Sequence, residues 1–466
     1  MGDAAHLPAR VSGGSIGGMK TFADAAAALA QGRTSARSLV DTALARIADP
    51  AGEGSRAFVA VHASAARVAA DAMDTLRHHG LAPSPWAGIP VTVKDLFDEH
   101  GHVTRAGSLA LADAAPATAN ARVVTRLQRL GFIIIGRTNM VEFAFSGLGV
   151  NPHYGTPKSP WDRATGRLPG GSSSGAAVAT ADFMGFGGLG TDTGGSCRIP
   201  AALCGIVGYK PTASRVPQDG VLPLSFSLDS VGPLARSVEC CHLLDQVIAG
   251  NPMPQPIAHR SVAGLRFAVP RGTFLLDGMD DHVAASFDRA LAKLSAAGAR
   301  IELLDLPEIG AIPALNASGG FTAAEAYAWH QQLIARKREQ YDPRILVRIM
   351  RGEKMPAVDY VKALQGRVRI CAAVARRTSA FDGLLMPTCP VVPPAIAEVE
   401  EERDYNRINM LLLRNTAVGN FLDRCSISLP CHAAGTAPVG LMLTGEHGAD
   451  ESLFVNAAAI EAVLAA

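Results

Sequence analysis

The chain has 466 residues; 48% are hydrophobic and 18% charged, and 43 Lys plus Arg face 42 Asp plus Glu for a net charge of +1. So apolar a chain folds around a core, and so even a charge balance gives no footprint for nucleic acid, an acidic membrane surface or a polyanion. Eight cysteines without a C-x-x-C pair argue against a structural zinc site and a disulfide framework, and read as reduced core thiols of a cytoplasmic protein.

Residues 1–18 are polar and Gly-rich without an apolar stretch, which predicts a mobile arm and no signal peptide. Residues 19–466 read as one domain. Thr21 to Ala30 is helical and Gly32 ends it. Ser35 caps a second helix with Leu39, Val40, Ala43, Leu44 and Ile47 on one face. Ala63 to His79 is a third helix. Gly88 to Val93 is a short β-branched run, a buried strand that ends at Lys94. Arg122 to Leu130 (helix), Phe132 to Ile135 (strand), Leu265 to Val269 (strand), Asp281 to Ala297 (helix) and Ile301 to Leu304 (strand) keep alternating. Such alternation predicts an α/β fold: a large mixed, mostly parallel twisted sheet with helices on both faces. About 320–379 is helix-rich and more charged, an insertion over the sheet. Gly383 to Met386 resumes as a strand. Cys425 to Gly445 lacks charge but holds Pro430, Gly435, Pro438 and Gly440, so it reads as strand, turn, strand and no membrane span. Asp450 to Ala465 is a closing helix.

The informative segment is Ala164 to Val207. It holds 11 glycines in 44 residues and only four charges, Arg167, Asp182, Asp192 and Arg198. A surface linker would be polar; this composition predicts backbone packed closely inside the protein, with serines presented from tight turns. Gly185 to Gly190 satisfies G-x-G-x-x-G, but no helix begins there, as a dinucleotide site requires. Gly171 to Gly175 satisfies G-x-S-x-G around Ser173, the nucleophile elbow of a Ser-His-Asp α/β-hydrolase. A third reading joins Ser172, Ser196 and Lys94. Thr193-Gly194-Gly195-Ser196 sets a hydroxyl after two residues without Cβ, where successive N–H groups converge on an anion. Ser196 is then a nucleophile built into its own oxyanion hole, each donor of which supplies about 3–4 kcal/mol to the transition state. Its base is Lys94, since the segment has no histidine. At an ordinary pKa near 10.4 only about one lysine in a thousand is neutral at pH 7.4, so burial must lower it.

The runs Gly170 to Gly175 and Gly190 to Pro200 carry a resemblance to the amidase signature family. It extends through Gly88 to Asp98, Gly107-Ser108, Gly136 to Phe143, Cys204 to Pro211, Ser227 to Pro233 and Ala437 to Leu443, over about residues 20 to 465, with the core motifs in about 88–233. The resemblance implies a free-standing amidase. It would hydrolyse a carboxylic amide to acid plus ammonia or amine with a Ser–cis-Ser–Lys triad: Ser196 the nucleophile, Ser172 the bridge after a cis bond from Gly171, Lys94 the base. It implies an oxyanion hole from the N–H groups of Thr193, Gly194, Gly195 and Ser196, with Ser173, Asp192 and Arg198 as supports. For Arg198, an ion pair with Asp192 and a substrate contact stay open. No metal or cofactor is implied, the partner is a small-molecule amide, and a homodimer is the family-level expectation.

Two positions depart from the family pattern: Cys197, where an aliphatic residue is usual, and Arg105, where a second threonine is common. Phe145, Phe321, Tyr327 and Trp329 are candidates for an apolar acyl pocket, with core packing as their other reading. The rival within the family is the glutaminase component of glutamyl-tRNA(Gln) amidotransferase, its A chain. The signature Y-G-L-x-A-F-A-S of that component is not matched by Asp219-Gly-Val-Leu-Pro-Leu-Ser-Phe-Ser227.

Overall fold

The computed structural model describes residues 18–465, so the predicted N-terminal arm lies, Gly18 apart, outside the described residues. Eleven strands form one sheet: β1 (Phe58–Val61), β2 (Pro90–Lys94), β3 (Ile133–Thr138), β4 (Gly187–Thr191), β5 (Val207–Lys210), β6 (Val231–Ala235), β7 (Arg266–Arg271), β8 (Arg300–Asp305), β9 (Gly383–Pro387), β10 (Ser426–Pro430) and β11 (Gly440–Thr444). Their spatial order is β1-β3-β2-β4-β6-β5-β10-β11-β9-β7-β8.

The sheet is mixed, and its expected parallel character is too strong. Only β2 with β3 and β4, and β7 with β8 and β9, pair parallel; the other six pairings are antiparallel. The reason is connectivity. The helix–strand alternation read from the sequence holds at the flanks. The centre is made by β5, β6, β10 and β11, and β10 turns directly back into β11 without the crossover helix a parallel pair needs.

Every residue of β2, β3, β4 and β6 is buried. Side chains alternate between faces along a strand, so both faces of this half of the sheet are covered. The helix Ser174–Ala181 is buried over nearly its whole length and packs against β4. That close approach explains the glycines of β4: a Cβ on Gly190 would stand 2.6 Å from Ser173 Oγ. Thr21 and Ser35 cap the helices Phe22–Ala30 and Ala36–Ala48 through their side chains. The predicted insertion comprises the helices Gly320–Lys337, Pro343–Met350 and Ala357–Thr378, all between β8 and β9. Among the described residues no helix is long and apolar enough to cross a membrane.

Candidate active site

The parallel pairing of β2 with β4 brings the ends of two strands together, Lys94 from one and Thr191 from the other. Lys94 is fully buried. Its Nζ donates to Ser172 Oγ at 2.7 Å and to Thr191 Oγ1 at 2.9 Å. Ser172 follows a cis peptide bond from Gly171, and its carbonyl accepts from Val141 N at 3.1 Å. Burial lowers the pKa of Lys94 from its usual 10.5 to about 8, although the carboxylates of Asp192 and Asp229 pull the other way. About one lysine in five is then neutral at pH 7.4. Lys210, also fully buried, donates instead to the carbonyls of Pro211 and Arg424.

Ser196 sits in the turn after β4, and Asp192 holds that turn. The Asp192 carboxylate accepts from Gly195 N (2.8 Å), Cys197 N (3.1 Å), Arg198 Nε (3.0 Å) and Arg198 Nη2 (2.8 Å). Burial pushes its pKa up, but Arg198, Asn420 and Lys210 outweigh that and hold it at about 2. Ser173 N donates to the Ser196 carbonyl at 3.3 Å, which ties the two serine segments together. Among the described residues no hydrogen bond joins the Ser172 and Ser196 hydroxyls; such contacts often close only around bound substrate.

The expected oxyanion hole loses one donor. Gly195 N–H is committed to Asp192, so it serves the turn, not the cavity. The N–H groups of Thr193, Gly194 and Ser196 have no acceptor among the described residues.

The other expected residues fall as follows. Arg198 is fully buried in its ion pair with Asp192 and also donates to Asn420 Oδ1 at 2.7 Å, so it is an internal clamp and does not line the cavity beside Ser196. Ser173 is buried and donates to the Thr191 carbonyl; no histidine bonds to it, as an α/β-hydrolase serine would need. Cys197 points into the core, its thiol 3.5 Å from the Gly232 carbonyl, and burial raises its pKa far out of the reactive range. Arg105 does not line the cavity.

Thr193, Gly194 and Ser196 open on a cavity of about 900 Å³. Of the four aromatics proposed for its wall, only Phe145 lines it. Phe321 is buried against Tyr360 and Phe421, Tyr327 donates to Glu353, and Trp329 packs edge-on against His330. Spacing along one helix says which residues share a face, not which face meets the cavity. The wall holds instead Arg348, Arg351, Arg407 and Arg414, and no Asp, Glu, Lys or His. Arg407 pairs with Asp404. The other three have no ion-pair partner among the described residues: Arg348 donates to the Phe145 carbonyl and Asn406, Arg351 to the Ala317 carbonyl, Arg414 to Asn415 and to the carbonyls of Leu275 and Asp277.

Sequence reading also missed the helix Glu402–Phe421, which supports the turn from behind. Its Asn420 donates to both the carbonyl and the carboxylate of Asp192 at 2.9 Å, and its Thr416 donates to the Gly194 carbonyl at 2.6 Å. Neither carries a local signal, since each meets the turn from more than 200 residues away.

Comparison with known proteins agrees with this geometry. The family described as Amidase matches residues 38–454. The 2-amino-5-chloromuconic acid deaminase of Comamonas testosteroni is 40% identical, over 86% of each chain. The A component of the glutamyl-tRNA(Gln) amidotransferase of Anaeromyxobacter dehalogenans is 37% identical, over 94% of this chain and 95% of its own. A crystal structure of an amidase superposes with a TM-score of 0.85 at 31% identity, covering 95% of this chain and 99% of the other. The chain therefore belongs to the amidase family and is an amidohydrolase.

Proposed function

We propose that this chain hydrolyses a small linear carboxamide bearing a carboxylate, through an acyl-enzyme on Ser196. The observation that carries the reading is Lys94: a buried amine, hydrogen-bonded only to hydroxyls, with its pKa brought near neutrality. Neutral Lys94 takes the Ser172 proton as Ser172 takes that of Ser196, and Ser196 Oγ attacks the amide carbon. The oxyanion rests on the N–H groups of Thr193, Gly194 and Ser196. The proton returns to the leaving nitrogen, the C–N bond breaks, and ammonia or an amine departs. Water then attacks the ester by the same relay and releases the acid. Ser173, Asp192 and Arg198 keep the two serine segments in place.

The carboxylate preference rests on the cavity wall, where three arginines lack anionic partners and no acid stands opposite. A substrate carboxylate would supply the missing charge. The similarity to a deaminase of an acid fits the same chemistry. A panel of carboxylated, aliphatic and aryl amides tests it: carboxylated amides give the highest kcat/KM, and a preference for uncharged amides overturns it.

The relatives that are A components of the tRNA amidotransferase favour a second reading, a partner-dependent glutaminase. The departure of residues 219–227 from the signature of that component and the even charge support the free-standing enzyme. We place residues 19–466 in one catalytic domain built on the continuous sheet, as a homodimer in the cytoplasm, where its eight unpaired cysteines remain reduced. Gel filtration combined with a glutaminase assay separates the readings: an active homodimer without glutaminase supports the first, and glutaminase that needs an added partner supports the second.

A further inference from the structure

A second group of chemistry-bearing side chains stands apart from the Ser196 cavity. His62 follows β1 directly and precedes the helix Ala63–His78, while Glu99 and His102 lie in the loop after β2. One donor atom from each lies within 4.8 Å of the other two, the sole such group of His, Cys, Asp or Glu among the described residues. His62 Nε2 is 3.0 Å from Glu99 Oε2, and the His62 and His102 rings are 4.5 Å apart. All three line a cavity of about 280 Å³ that shares no residue with the first.

The geometry is close to that of a coordinated ion. Ligands about 2.0–2.1 Å from a tetrahedral Zn²⁺ stand roughly 3.3 Å apart. The His62–Glu99 separation is already near that, and His102 has at most about 1.5 Å to close. His102 is free to do so: it is exposed, and its ring makes no hydrogen bond among the described residues. A hydrogen bond to Glu99 accounts for His62 alone and leaves the second imidazole without a role.

Two cations also stand near the group. Arg137 faces the group from β3, with Nη1 3.5 Å from Glu99, and Arg105 also faces His102. Arg137 weakens cation binding, but its charge is matched by Asp95 at 2.8 Å.

We propose that His62, Glu99 and His102 bind one late first-row divalent ion, Zn²⁺ foremost, with water in the fourth position. Two imidazoles and a carboxylate are the donor set that such ions prefer over Mg²⁺ or Ca²⁺. The ion would tie the turn between β1 and its helix to the loop that follows β2. It takes no part in the Ser196 chemistry.

The test is calorimetric titration of the full chain, stripped with a chelator, with Zn²⁺ alone, beside His102→Ala and Glu99→Gln. Circular dichroism shows that each variant is folded, and the second variant serves where the first is not. The expected result is one Zn²⁺ per chain, a raised Tm, and affinity weakened by at least about tenfold in a folded variant, the smallest loss expected even for an outer partner of a metal. No stoichiometric uptake, or uptake less than tenfold weaker in a folded variant, overturns the proposal. The second result would place any bound zinc on other surface groups.

Discussion

Thr191 Oγ1 accepts from Lys94 Nζ at 2.9 Å, so the amine is fixed between two hydroxyls instead of against a carboxylate. A carboxylate there would hold the proton on the lysine; the hydroxyls orient the amine without charging it. Replacing Thr191 by Val keeps the shape and removes one of these contacts. At about 1 kcal/mol for a hydrogen bond of this kind, kcat falls about fivefold. Steady-state kinetics at constant pH measure this, and an unchanged kcat would show that Ser172 alone positions the amine.

The depressed pKa also fixes the pH profile. Only neutral Lys94 accepts a proton, and its pKa is about 8. On an uncharged amide, kcat/KM therefore rises about tenfold per pH unit in acid and levels off above about pH 8. A profile flat between roughly pH 5 and 9 speaks against a lysine base.

The same burial costs stability. The folded pKa lies below the unfolded value of 10.5, so between about 8 and 10.5 the unfolded chain binds a proton that the folded chain lacks. Stability attributable to Lys94 therefore rises with pH across that window, and the cost, about 3 kcal/mol, is borne in full below pH 8. Lys94→Met removes it, together with two hydrogen bonds worth about 1 kcal/mol each. The inactive variant is expected to be about 1 kcal/mol more stable than the parent in urea at pH 7, equal to it near about pH 9, and about 2 kcal/mol less stable by about pH 10.5, where only the lost hydrogen bonds count. A variant clearly less stable than the parent at pH 7 would contradict the buried charge.

Asn420→Ala tests the support behind the turn. Asn420 touches both Asp192 and Arg198, all three buried, and its loss leaves charged groups short of partners. A loss of about 2–3 kcal/mol in denaturant titration is expected, with a fall in kcat and little change in KM. A change confined to KM would instead place Asn420 on the substrate.

Arg348→Met tests the cavity wall. Loss of a charge-assisted hydrogen bond, about 1.5–3 kcal/mol, raises KM for a carboxylated amide about tenfold or more and leaves that of an uncharged amide nearly unchanged. Equal effects on the two would mean that Arg348 only holds the Phe145 carbonyl in place.

Much of this was legible in the chain because its signals are local. A β-branched run that ends in lysine, two serines 24 residues apart in a low-charge glycine segment, and an uncharged stretch broken by Pro and Gly each report on their own neighbourhood. The structure brings the strand-end Lys94 and Ser172 into contact and pairs β10 with β11 as that stretch suggested. The misses are long-range. Three of the five residues of β4 are glycine and it has no strand signature, yet it forms because its neighbours leave no room for a Cβ at those three. The antiparallel centre depends on which strands meet, which helix–strand alternation does not encode. Phe321 and Phe145 look alike in sequence; only packing sends one into the core and the other to the cavity. Gly195 N–H is lost to the hole because a side chain three residues earlier claims it.

Covalent labelling addresses the nucleophile most directly. A serine-reactive phosphonate followed by peptide mass mapping should place one adduct on Ser196, slow its formation sharply in Lys94→Ala at pH 7, and leave Ser196→Ala unlabelled and without turnover. An adduct on another serine, or a Ser196→Ala enzyme that keeps even about a tenth of its kcat, would contradict the account.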